Sequence, residues 1–189
     1  MVVKQISEKE VLEKIKNNER CILLIFESKD CVPDFNSEMH TGFDLKAKEE
    51  VILNEYQTKV VPTGCKWSAP SGYFIFVVPR SGLSLNTPLV IANSPGTVES
   101  SYRGDIGVIL RICGDAYVYF EGYKDIKNLP DAIKIPKGTR LAQAIILRTA
   151  FVPHENIPIY YCVSRKLYVN WENINPSLRG SKGFGSTGI

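Results

Sequence analysis

The sequence has only two histidines, His40 and His154, and neither stands at a metal-ligand spacing. A histidine-rich metal centre is therefore set aside, and catalysis through a histidine base is disfavoured. Cysteine is sparse and scattered: Cys21, Cys31, Cys65, Cys113 and Cys162 are odd in number and form no Cys-x-x-Cys pair. That usage points to reduced thiols rather than a disulfide framework or a zinc site. Long apolar runs are missing. The longest, Tyr73 to Val78, is far short of the roughly 20 residues a membrane helix needs. Met1 to Gln5 leads into charged residues rather than the apolar core of a signal peptide, so an intracellular, cytoplasmic protein with no membrane contact is expected. A dominant charge is absent as well. Lys and Arg number 23 against 20 Asp and Glu, and a net charge of +3 implies no direct nucleic-acid binding.

What is present is an ordinary globular composition, 44% hydrophobic over 189 residues, enough for one sizeable core. One helix is clear at the start. Ser7 and Glu10 make a capping box, Val11, Leu12 and Ile15 follow at helical spacing, and Asn17-Asn18 ends it. It reads as a peripheral extension, followed by a buried strand over Cys21 to Phe26. After that the signals are short and strand-like: residues 51–53, 59–61, 73–78, 106–112, 117–119, 142–148, 158–163 and 167–171, punctuated by Gly and Pro. Many short strands and few helices predict an all-β protein, a jelly-roll-like sandwich or barrel. Residues 1–35 read as an N-terminal extension, 36–178 as the β domain with insertions near 115–131 and 150–166, and 179–189 as a separate C-terminal motif.

The chain is organised around Asn93 to Asp105, which reads as a tight hairpin turning at Pro95-Gly96. It carries a carboxylate, Glu99, then an aromatic, Tyr102, then an arginine, Arg103. Those side chains can build a sugar-and-base pocket containing a proton acceptor. Three other segments share this character. Thr41 to Ala47 sets Asp44 among apolar neighbours, and Pro79-Arg80-Ser81-Gly82-Leu83 offers a guanidinium, a hydroxyl and a glycine suited to phosphate oxygens. Pro136 to Gln143 leads a turn into a strand bearing the amide of Gln143. Taken singly, the plainer readings come first: Asp44 as a solvated turn carboxylate, Arg80 as a surface ion pair and Gln143 as a satisfied buried amide. The last segment, Arg179 to Ile189, has four glycines and no apolar periodicity, which predicts mobility. Arg179 and Phe184 argue against a mere solubilising tail. It is no P-loop, since such a loop follows a strand and opens a helix.

In this order the five segments resemble the motifs of the trimeric dUTP pyrophosphatase (dUTPase) family. Those motifs look like Ala-Gly-x-Asp-Leu-x-Ala, Pro-Arg-Ser-Gly-Leu, Gly-x-Ile-Asp-x-x-Tyr-Arg-Gly, Lys-Gly-x-Arg-x-Ala-Gln and Arg-Gly-x-x-Gly-Phe-Gly-Ser-Thr-Gly. The resemblance runs from Thr41 to Gly188, and Asn93 to Thr97 is similar to the bacterial and phage branch. It implies a jelly roll, a homotrimer with active sites shared between subunits, and Mg²⁺-dependent hydrolysis of dUTP to dUMP and pyrophosphate. That reaction keeps uracil out of DNA and supplies dUMP for dTMP synthesis. By the resemblance, Asp44 holds the metal's water shell, and Arg80, Ser81, Gly82 and Gln143 grip phosphates. Asn93 and the backbone of Gly96, Thr97 and Val98 read uracil, while Tyr102 packs under deoxyribose. Glu99 is the catalytic base. Arg179 reaches the γ-phosphate, Phe184 stacks on uracil, and Gly183, Gly185, Ser186 and Thr187 close over the nucleotide.

Three positions depart from the family pattern: Glu99 for Asp, Thr41 for Ala and Ser84 for Ala. Only the first touches the chemistry, because it moves the base by one methylene. Two alternatives stay open on sequence: a dCTP deaminase-like enzyme of the same fold, and a weakened enzyme acting as a nucleotide-responsive module for an unknown protein partner.

Overall fold

An apolar run without alternation, such as Ile22-Leu23-Leu24-Ile25-Phe26, needs cover on both faces. The computed structural model describes residues 3–35, 41–55, 57–113, 132–151, 153 and 155–184, and it places this run accordingly. As strand β2 (Ile22–Phe26) it lies between β13 (Ile159–Val163), with which it runs parallel, and the antiparallel β6 (Cys65–Ser68). Strand β1 (Val3–Gln5) completes a sheet ordered β1-β13-β2-β6. Ile22, Leu24 and Phe26 point into the large core, while Leu23 and Ile25 point into a second cluster on the opposite face.

That second cluster lies under two helices. Helix α1 (Glu8–Lys16) carries the expected capping box and contributes Val11. Helix α3 (Arg165–Ile174) contributes Leu167, Tyr168 and Trp171. Two expectations are corrected here. Residues 167–171 are helical, not a strand. Ser164 caps the helix by accepting from the Leu167 backbone N–H at 3.0 Å, and the spacing of Leu167, Tyr168 and Trp171 suits one helical face. The β-preferring Tyr-Val pair is outvoted by that cap and that stripe. Helix α1 is also less peripheral than expected. It packs on a sheet whose strands come from residues 3–5, 22–26, 65–68 and 159–163.

The remaining strands form the jelly-roll-like sandwich. They are β3 (Phe43–Lys46), β4 (Val51–Asn54), β5 (Thr58–Val61), β7 (Tyr73–Pro79), β8 (Leu89–Ile91), β9 (Gly96–Glu99), β10 (Val108–Ile112), β11 (Ala132–Ile135) and β12 (Arg140–Arg148). They pair as β3-β12-β7-β9, β5-β10-β8 and β11-β4. A short helix, α2 (Ser81–Asn86), follows β7. Strand β7 shows the period of two cleanly: Tyr73, Ile75 and Val77 are buried, and Phe74, Phe76 and Val78 are half-buried on the outer face. Ile145 and Leu147 stand opposite Phe76 and Phe74 on that same face. Cys21, Cys31, Cys65 and Cys162 are buried free thiols, and Cys113 is an exposed one. Residues 117–119, the insertion near 115–131, and both histidines lie outside the described residues. Among the described residues no helix is long and apolar enough to cross a membrane.

Candidate active site

Strand register gathers the first group of expected residues. Asp44 on β3 stands directly opposite Gln143 on β12, which stands opposite Val78 on β7. One residue past the end of β7, Arg80 donates from Nε to Asp44 Oδ1 at 2.9 Å. Arg140 approaches the other carboxylate oxygen at 3.7 Å. A carboxylate, an amide and two guanidinium groups thus sit at one corner of the β3-β12-β7-β9 sheet. Ser81 and Gly82 open α2 beside them and are exposed.

The second group gathers at the opposite corner. Asn93, Gly96, Thr97, Val98, Glu99 and Tyr102 line a cavity of about 380 Å³ together with Arg179, Gly183 and Phe184. That volume falls in the range of small-ligand pockets. Strand β9 is the edge of its sheet, so one row of its backbone N–H and C=O groups faces away from β7. Glu99 accepts from the Arg179 guanidinium. The Glu99 side chain is still 58% exposed, so solvent water reaches it. Tyr102 is buried, its hydroxyl donates to the Asp105 carbonyl at 3.0 Å, and burial pushes its pKa up. Gly185, Ser186 and Thr187 lie outside the described residues.

The two corners do not meet within one chain. Glu99 pairs with Phe74 on β7, whereas Asp44 and Gln143 fall in the row of Val78. That is three strands sideways and four residues along, on the order of 20 Å. None of Asp44, Arg80, Ser81 or Gln143 lines the cavity.

Sequence reasoning passed over several residues that build the site. Asp105 takes hydrogen bonds from the Thr63 backbone N–H at 3.0 Å, the Gly64 N–H at 2.9 Å and the Tyr168 hydroxyl, so it ties the pocket floor to helix α3. Burial and the Asp105 carboxylate hold the Tyr168 hydroxyl well above its usual pKa. Gly107 lines the cavity, and a Cβ there would sit 3.2 Å from the Phe184 ring and 2.4 Å from Val60. A glycine just before a β run was the available signal. A Cβ at Gly183 would press on the Tyr102 ring at 3.0 Å. Arg140, inside the Pro136 to Gln143 segment but given no role there, joins Asp44 only through the fold.

The dUTPase family model matches residues 29–188. The deoxyuridine 5'-triphosphate nucleotidohydrolase of Helicobacter pylori strain Shi470 is 35% identical over 158 residues, 84% of this chain and 89% of that protein. The enzyme of the same name from Thermoanaerobacter is 34% identical over 160 residues, 84% of this chain and 88% of that one. Among solved structures, a mutant dUTPase from phage phi11 of S. aureus, described for its coordination of a structural Mg(II) ion, superposes with a TM-score of 0.59. It is 24% identical and matches 72% of this chain and 95% of that one, which is likeness of fold. A mutant dUTPase of Staphylococcus bacteriophage 80alpha with dUpNHpp is 25% identical with a TM-score of 0.56, over 89% of this chain and 98% of that one.

Proposed function

The chain belongs to the dUTPase family and hydrolyses dUTP to dUMP and pyrophosphate, and from that premise we propose that two copies of the chain divide the reaction between them. The observation that carries this reading is the separation of the two corners. A general base must come within about 3 Å of the water it deprotonates. Asp44, Arg80 and Gln143 cannot hold the phosphates of a nucleotide whose attacking water lies at Glu99 of the same chain. A second copy supplies them. The half-buried apolar stripe of Phe74, Phe76, Val78, Ile145 and Leu147 runs across the sheet face between the corners and gives that copy a surface to cover. The assembly is a homotrimer, the closed ring in which each copy gives one corner and receives the other.

At the hairpin corner, the free edge of β9 with Asn93 reads uracil through backbone donors and acceptors. Cytosine, with its exchanged edge, leaves those groups unpaired. Tyr102 closes the space beneath the sugar and excludes a 2′-hydroxyl. Phe184 stacks on the base. Arg179 leaves Glu99 for the γ-phosphate. An ion pair this exposed is worth at most about 1 kcal/mol, so a polyanionic phosphate competes for it readily. Glu99, released, takes a proton from the water attacking the α-phosphorus. The new P–O bond forms as the bond to the bridging oxygen breaks, and pyrophosphate departs with that oxygen. At the other corner Arg80, Ser81, Gly82 and Gln143 hold the phosphate oxygens and the charge that builds on them.

The residues fit a hard cation carried by the substrate. Among the described residues no three carboxylate, histidine or cysteine groups gather to ligate a metal directly. Asp44 offers a single carboxylate, which suits Mg²⁺ that keeps its waters and binds through phosphate. Its present partners, Arg80 and Arg140, are cations that phosphate would draw away. Asp44 would hold the water shell of that ion, which would supply positive charge against the leaving pyrophosphate.

Pyrophosphate release measured in parallel with dUTP, dTTP, dCTP and UTP tests the reading. Release is expected from dUTP well above the other three, and to depend on added Mg²⁺. Ammonia from dCTP would assign the deaminase reaction instead. Tight dUTP binding without release would assign a nucleotide-responsive binding module.

A further inference from the structure

Two glycines let backbone close in on the Tyr102 ring. A Cβ at Gly104 would run into its hydroxyl, and one at Gly183 would lie 3.0 Å from the ring. The hydroxyl itself donates to the Asp105 carbonyl at 3.0 Å, so the ring follows the position of Asp105. Asp105 in turn is held from outside the hairpin. Its Oδ1 accepts from the Thr63 backbone N–H at 3.0 Å, and its Oδ2 accepts from the Gly64 N–H at 2.9 Å and from the Tyr168 hydroxyl. Tyr168 stands on α3 and is buried, with Lys66 Nζ 4.6 Å and Lys48 Nζ 5.4 Å from its ring centroid. The same helix grips the neighbouring hairpin residues. Its C-cap, Asn175, accepts at its carbonyl from Arg103 Nε at 2.8 Å, and Arg103 also donates to the Ser100 carbonyl at 2.6 Å. Just beyond the helix, Ser177 Oγ donates to the Ser101 carbonyl at 2.5 Å. Tyr168 and Asn175 stand about two turns apart on α3, roughly 10 Å. A rigid rod thus fixes the hairpin's outgoing arm at separated points.

We propose that Tyr168 is a positioning residue for the choice of sugar. Its bond to the Asp105 carboxylate sets the place of the Asp105 carbonyl, hence of the Tyr102 hydroxyl, and so the clearance left for a 2′-hydroxyl. The inference rests on the reading above in which Tyr102 closes the space beneath the sugar. Excluding a single oxygen atom is a fine task, and a site holds its geometry to about 0.5 Å only where neighbouring groups lock it. Without the Tyr168 hydroxyl, Oδ2 keeps only the Gly64 N–H and loses a charge-assisted bond. The carboxylate is then free to turn, and residues 104–106 relax with it. Deoxyribose presses on no such wall, so dUTP is handled much as before. Ribose gains room, and UTP is turned over better.

The test is kcat/KM for pyrophosphate release from dUTP and from UTP, measured on wild type, Tyr168→Phe, Tyr102→Phe, Tyr102→Ala and the double variant Tyr102→Phe/Tyr168→Phe. Phenylalanine at 168 keeps the ring and its packing, so the protein still folds. The dUTP-to-UTP ratio is expected to fall about tenfold in Tyr168→Phe, the worth of one hydrogen bond to a charged group, chiefly because the UTP value rises. Tyr102→Phe cuts the same chain of contacts one link later, so Tyr168→Phe adds little to the loss in that background. An unchanged ratio in Tyr168→Phe, with a lowered one in Tyr102→Ala, would overturn the inference and leave the Tyr102 wall in place. A ratio unchanged in Tyr102→Ala as well would refute the wall itself and take the inference with it. Equal losses for both nucleotides would make Tyr168 merely structural, and fully additive losses in the double variant would mean that it acts by another route. Either result would overturn the proposal.

Discussion

Replacing Glu99 by glutamine is expected to lower kcat for dUTP about 10²- to 10⁴-fold, the usual worth of general-base assistance. The glutamine keeps the size and a hydrogen-bonding amide but cannot accept the proton of the attacking water. Affinity for dUTP should change only modestly, because the carboxylate acts mainly in the transition state. One side effect is specific to this chain. Glu99 accepts from the Arg179 guanidinium, and the neutral amide would hold it less firmly. KM therefore stays level or falls slightly, and a rise of KM alone would contradict the assignment. Glu99→Asp remains active but no longer reaches Arg179 as readily. Steady-state kinetics on the three proteins decide. Turnover by Glu99→Gln equal to wild type would place water activation elsewhere.

Ending the chain at Leu178 is expected to cost nearly as much, chiefly through kcat/KM. It removes Phe184, whose stacking on a base is worth about 1–3 kcal/mol. It also removes Arg179, whose bond to phosphate is worth about 1.5–3 kcal/mol. Together these correspond to roughly 10²- to 10⁴-fold. The fold should persist, because the helix cap at Ser164, the Trp171 contact to the Trp67 carbonyl at 3.1 Å, and the Ser177 anchor all precede the cut. Urea unfolding with an unchanged midpoint, alongside the loss of activity, is the expected pair of results. A shortened protein with near-wild-type kcat/KM would remove the lid from the account.

The five motif segments were legible because each carries its chemistry within a few residues. The fold gathers Asp44, Arg80 and Gln143 at one corner, and the hairpin with Arg179 and Phe184 at another. Strands β2, β4, β5, β7, β10, β12 and β13 were legible from short runs rich in apolar and β-branched residues. The short edge strands β1 and β8 were not, since three residues carry no period. Helix α3 was misread because Tyr168-Val169 favours a strand locally, while the cap and the second hydrophobic cluster decide globally. The roles of Asp105 and Arg103 were illegible for another reason. Thr63 and Tyr168 lie 42 and 63 residues from Asp105, and Asn175 lies 72 from Arg103, so no local pattern announces those bonds. The separation of the two corners depends on strand order, β3-β12-β7-β9, which composition and spacing leave open.

The claim that each site is completed by a second copy is tested most directly by mixing two dead corners. Glu99→Gln disables the hairpin corner and Asp44→Asn the phosphate corner, and each variant alone is expected to be nearly inactive. Doubly tagged trimers containing both chains should recover about a third of wild-type pyrophosphate release, because one site in the ring receives Glu99 from one chain and Asp44 from the other. Mixed trimers no more active than either parent would mean that Glu99 and Asp44 act within a single chain, and would contradict the account.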